Sequence, residues 1–86
     1  MDPVDALLQR WARETYRADS TQGRREAYGQ CLEEALRMVN YSKRIYAKVH
    51  LRHLADTWEA DFGMGDLGVG AEVHLRCAEE IRGLGS

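Results

Sequence analysis

Proline is nearly missing from this chain of 86 residues, Pro3 being the single instance. An interior without proline lets helices run unbroken, because nothing removes a backbone donor or fixes φ along the way. β-Branched residues are sparse, and no stretch alternates apolar and polar residues with period two. A sheet is therefore not expected. No apolar run approaches the length that spans a bilayer, and the N-terminal residues lack the basic, apolar and small-residue succession of a secretory signal. The expectation is a cytoplasmic protein with no membrane partner. Cysteine is limited to Cys31 and Cys77. Each falls on the apolar side of a predicted helix and reads as a free, buried small hydrophobe, which suits a reducing compartment. A strong charge of one sign is missing too, the formal net charge being −2.

What remains is rich in Ala, Leu, Arg and Glu, all good helix formers. The sequence predicts an all-α fold: one domain over residues 1–86, a compact bundle of three to four helices. A chain this short buries only ~60–65% of the surface its unfolded form exposes, so self-association is a reasonable expectation.

The first helix is predicted to start with Asp2 as cap and Pro3 at the first helical position, where a missing N–H does no harm. Val4, Leu7, Leu8, Trp11 and Thr15 recur at three- and four-residue spacing and form one apolar stripe. Arg10, Arg13, Glu14 and Arg17 face away. Residues 18–23 are polar and small and read as a loop. A second helix begins near Ser20 or Thr21 and reaches about Val39, burying Tyr28, Cys31, Leu32, Ala35, Leu36 and Val39 and exposing a Glu33–Arg37 pair. Asn40 is the natural interruption, with Ser42 available as the next cap. The third helix, about 41–62, is expected at the centre of the bundle. Ala47, Leu51, Leu54, Trp58 and Phe62 make its main stripe, while Ile45 and Val49 make a second patch on roughly the opposite side. Glycines at 63, 65, 68 and 70 break the chain before a fourth helix, about 69–82, with Val73, Cys77, Ile81 and Leu84 on its apolar side.

Three patterns bear on function. Residues 63–68 read GMGDLG, a literal match to a dinucleotide-binding fingerprint. That fingerprint requires a preceding strand and a βαβ unit, and here a helix precedes it, so the glycines read as a helix end and a turn. His50 and His53 can share one side of the third helix, and Tyr46, His50, His53 and Thr57 form a polar-aromatic stripe. With His74, these histidines are the candidate ligands for a metal or haem, although H-x-x-H alone is a weak signal. No cofactor is expected. A hydrogen-bonded seam of polar residues is the simpler reading.

Charge distribution is the most distinctive pattern. No acidic residue lies between Glu34 and Asp56, whereas Arg37, Lys43, Arg44, Lys48 and Arg52 all do, and acids dominate the C-terminal part. With Tyr41 and Tyr46, these basic residues form the predicted partner-binding surface. No nucleophile–base arrangement stands out and the carboxylates sit at exposed positions, so catalysis is not expected. The leading expectation is a non-enzymatic interaction module, an adaptor, regulator or inhibitor, that makes protein contacts as a homodimer. A nucleic-acid-binding regulator using the same basic face is the second reading. A metal- or haem-binding bundle through His50 and His53 is the third.

Overall fold

The computed structural model describes residues 2–65 and 68–84 and forms an all-α bundle of four helices: α1 (Pro3–Thr15), α2 (Gln22–Tyr41), α3 (Ala47–Phe62) and α4 (Val69–Arg82). No strand occurs among the described residues, and no helix is long and apolar enough to cross a membrane.

Helix α1 begins as the sequence predicts. The Asp2 carboxylate accepts the Val4 N–H at 2.7 Å, Pro3 occupies the first position, and Asp5 adds negative charge to the first turn. Val4, Leu7, Leu8 and Trp11 are buried. Thr15 is half-buried, and its hydroxyl donates to the Trp11 carbonyl at 2.9 Å. Helix α2 starts at Gln22 with Thr21 as cap, its hydroxyl accepting the Arg24 N–H at 3.3 Å. It buries Ala27, Tyr28, Cys31 and Ala35, while Leu32 and Val39 are partly buried. Leu36 was expected in that stripe, but it lies 41% exposed. The Glu33–Arg37 pair forms at 3.1 Å.

The third helix is shorter than predicted. Tyr41 closes α2, and the Ser42 N–H returns to the Met38 carbonyl at 3.2 Å. Ser42 and Lys43 are extended, with ψ of 156° and 144°. A single 3₁₀ turn, Arg44–Tyr46, then leads into α3 at Ala47. Local side-chain chemistry explains the difference from the expected start at 41. The Ser42 hydroxyl lies 3.5 Å from the Val39 carbonyl and offers the backbone an alternative to continued helix. The central place expected for the third helix is shared by α2, which packs against α1, α3 and α4, whereas α3 packs against α4 and α2.

Helix α4 has the predicted bounds. Gly68 at its start has φ +87°, a left-handed conformation that a side chain resists. Ala71, Val73, His74, Cys77, Ala78 and Ile81 are buried, and Leu84 packs on the core from just beyond the helix. Of the GMGDLG segment, Asp66 and Leu67 lie outside the described residues; Gly63 to Gly65 follow a helix, not a strand.

The core centres on Trp11 and Trp58, whose rings lie 6.1 Å apart and tilted by 50°. Leu7, Leu51, Val73, Ile81, Cys31 and Cys77 surround them, all essentially inaccessible to solvent. Burying a large apolar side chain contributes roughly 1.5–3 kcal/mol, so this cluster is the main source of stability. Each indole N–H is satisfied by a carboxylate from another helix. Trp11 on α1 donates to Glu80 on α4 at 3.1 Å, and Trp58 on α3 donates to Glu34 on α2 at 2.7 Å.

Candidate functional site

The end of α2, the extended link and the start of α3 bring together most of the residues predicted to meet a partner. Of the eight large hydrophobic side chains exposed among the described residues, five, Leu36, Tyr41, Ile45, Tyr46 and Val49, fall in this stretch. Isolated surface hydrophobics are ordinary, whereas several close together in a small protein are less so. Tyr41 is 89% exposed and Ile45 80% exposed, more than either needs to be if its only role were in this core. The break in the helix accounts for that exposure: Tyr41 ends α2 and Ile45 lies in the link, both off the stripe that Ala47, Leu51 and Leu54 direct inward. An open cleft of about 280 Å³, lined by Glu34, Arg37, Met38, Tyr41 and Leu54, borders the same stretch.

The basic residues of this surface do not act as one positive patch. Arg37 is exposed but paired with Glu33 on its own helix. Arg44 reaches back to the start of α1, where it pairs with Asp5 and lies 3.7 Å from Asp2. This bridge ties the link to the first helix. Lys43 is exposed and Lys48 half-buried, and neither joins a described ion pair. Arg52 is half-buried on α3. The surface is therefore apolar and aromatic, with its positive charge partly cancelled by the protein's own acids.

The three histidines have separate environments. His53 is exposed and His50 half-buried. His74 is buried, its Nδ1 2.7 Å from the Gly70 carbonyl. Its ring lies 4.4 Å from Phe62 and meets Trp58 edge-on at 5.4 Å. Among the described residues, no group of three or more His, Cys, Asp or Glu side chains is placed to hold a metal. The sequence missed what His74 does touch. The neighbouring Cys31 thiol holds the imidazole above its ordinary pKa despite burial. Cys31 and Cys77, both free and buried, are neighbours in the core. Cys77 and His74 lower the Cys31 thiol to about 6, and Cys31, with burial, pushes Cys77 upward. The apolar spacing of Cys31 and Cys77 was readable in sequence; their meeting across α2 and α4 was not.

Comparison with known protein families, with curated proteins and with solved structures finds no match. Function must be argued from the surface itself.

Proposed function

We propose that this chain is a non-enzymatic interaction module, an adaptor, regulator or inhibitor, that makes protein contacts through residues 36–49 and uses them first to form a homodimer. The observation that carries the reading is the clustering of exposed Tyr41, Ile45, Tyr46 and Val49 at one end of an otherwise well-buried bundle. Aromatic residues supply much of the affinity where proteins meet, because they bury large area at low entropic cost. Lys43 and Lys48 frame the apolar residues and suit a polar rim. A two-fold pairing sets the same patch against itself, which suits an apolar centre better than a uniformly charged one. The free, buried cysteines fit a cytoplasmic location.

A nucleic-acid reading has less support, because Arg37 and Arg44 already spend their charge on Glu33 and Asp5. Light scattering over a wide range of concentration tests the proposal. The wild type should approach twice its 9.8 kDa mass as concentration rises. The Ile45→Asp/Val49→Asp variant should stay monomeric, and at dilutions where the wild type is also monomeric its melting temperature should be unchanged, since both side chains are exposed in the single chain. A wild-type mass that remains monomeric at the highest concentration refutes the dimer. A mobility shift of DNA or RNA at low salt that disappears steeply as salt rises would favour the nucleic-acid reading instead.

A further inference from the structure

On the other side of the molecule, α1, α2 and α4 enclose an open cleft of about 370 Å³ whose walls carry Arg10, Arg17, Arg24 and Arg76. Four guanidinium groups, three from α1, α2 and α4 and that of Arg17 from the turn after α1, contrast with a net negative chain. Two carboxylates also line the cleft, but both are already engaged. Glu80 takes the Trp11 indole N–H at 3.1 Å and Arg10 at 3.4 Å, and Glu14 pairs with Arg17 at 3.2 Å. Arg17 is held further by Asp19 at 2.6 Å.

Arg24 and Arg76 differ from these, since neither takes part in a described ion pair. Both share the cleft with Tyr28, which is buried. The Arg24 guanidinium lies 5.5 Å from the centre of the Tyr28 ring, and Arg76 lines the same cleft from α4. The phenol brings one O–H donor to the cleft. Burial pushes the phenol above its ordinary range, so the proton stays in place at neutral pH. Two uncompensated guanidinium forks and one hydroxyl donor therefore converge on a concave site, while the neighbouring carboxylates are neutralised by partners of their own.

We propose that this cleft binds the phosphate groups of a small phosphorylated ligand, with Arg24 and Arg76 as the anion clamp and the Tyr28 hydroxyl as a third donor. The planar fork of arginine matches a tetrahedral oxyanion with two parallel hydrogen bonds, a fit that lysine lacks. The cleft sits at the small end of the range for ligand sites, which suits a compact phosphorylated molecule better than a large cofactor. Arg10 and Arg17 at the rim raise the local concentration of anions without having to leave their partners.

The test is a titration of the full chain with inorganic pyrophosphate, followed by the backbone and arginine side-chain NMR signals, with sulfate as a second arm. Saturable shifts centred on Arg24, Tyr28 and Arg76 are expected with pyrophosphate, and weaker ones with sulfate. Arg24→Gln and Arg76→Gln should each weaken binding at least about tenfold, the size of one hydrogen bond to a charged group. Arg76 is exposed, so Arg76→Gln should leave the melting temperature unchanged, while Arg24→Gln, which also removes the contact with the Tyr28 ring, is compared at a temperature well below its own melt. Tyr28→Phe should also weaken pyrophosphate binding while leaving the cation pair in place. Arg13→Gln, on the exposed side of α1, is the control. Equal weakening by Arg13→Gln would mean diffuse charge attraction and no site, and an absence of saturable shifts would overturn the proposal outright.

Discussion

Replacing Trp58 with Phe isolates the bond that joins α3 to α2. Trp58 is 2% exposed, its N–H donates to Glu34 at 2.7 Å, and its ring packs on Trp11 and His74. Phenylalanine keeps an aromatic ring in the core but removes the donor and leaves the Glu34 carboxylate short of a partner. A hydrogen bond to a charged group is worth about 1.5–3 kcal/mol. Glu34 is only half-buried, so water recovers part of that loss and the lower end applies. The smaller ring leaves a void beside Trp11 that adds on the order of 1 kcal/mol. The expected destabilisation is therefore about 2 kcal/mol, or roughly 10 °C in melting temperature for a domain of this size. Urea denaturation and thermal melts read it directly. Glu34→Gln alone should cost less, because the amide oxygen still accepts the indole N–H. In the double variant the two effects should fall short of their sum, since both act on one bond. A loss within ~0.5 kcal/mol of zero for Trp58→Phe, or strict additivity in the cycle, would refute the idea that this bond fixes α3 on α2.

Glycine substitutions should act in opposite directions. A Cβ at Gly63 would sit 2.4 Å from the Glu59 carbonyl oxygen, so Gly63→Ala forces the end of α3 to shift and should cost on the order of 1 kcal/mol or more in thermal melts. Gly70, inside α4 with open space around it, should gain roughly 0.5–1 kcal/mol on replacement by Ala. The Arg82 guanidinium bridges to Glu59 and Asp56 and holds the Glu59 carboxyl below its ordinary value. A depressed folded-state value contributes stability above the unfolded value and loses it as pH falls through the folded one. Arg82→Gln should therefore lower the melting temperature at neutral pH, and the difference should shrink both in acid and in high salt because the groups are exposed. Cys31 and Cys77 should resist a thiol reagent in the native protein although the Cys31 pKa is lowered, since both are inaccessible. Both should react at one common rate that rises with denaturant, and rapid modification of one thiol in the native state would contradict that burial.

The sequence made helices easy to read where caps and stripes agreed. Asp2 before Pro3 marked the start of α1, and the glycines flanking Val69 and Arg82 marked both ends of α4. The stretch around Ser42 was harder, because Tyr41, Lys43 and Arg44 carry no helix-breaking chemistry of their own. Only the Ser42 hydroxyl turning back on the Val39 carbonyl, and Arg44 reaching Asp5, separate link from helix, and the second of these is a long-range contact. His74 shows the same limit. Its place against Phe62 and Trp58 depends on how α4 lies on α3, which no spacing within α4 encodes. The arginine cleft was hidden for a related reason. Arg10 and Arg17 read as a solvated face of α1, and only packing of α1 on α2 and α4 brings Arg24 and Arg76 to the same hollow.

The two tryptophans hand this protein its own optical gauge. Chromophores 6.1 Å apart at a fixed tilt couple their transitions, so the native near-ultraviolet dichroism should carry a signature that neither indole gives alone. One ring rides on the first helix and the other on the third, and each is moored to a different second helix. Any loosening between the two halves of the bundle would change that signal before the helices themselves melted, with no label added.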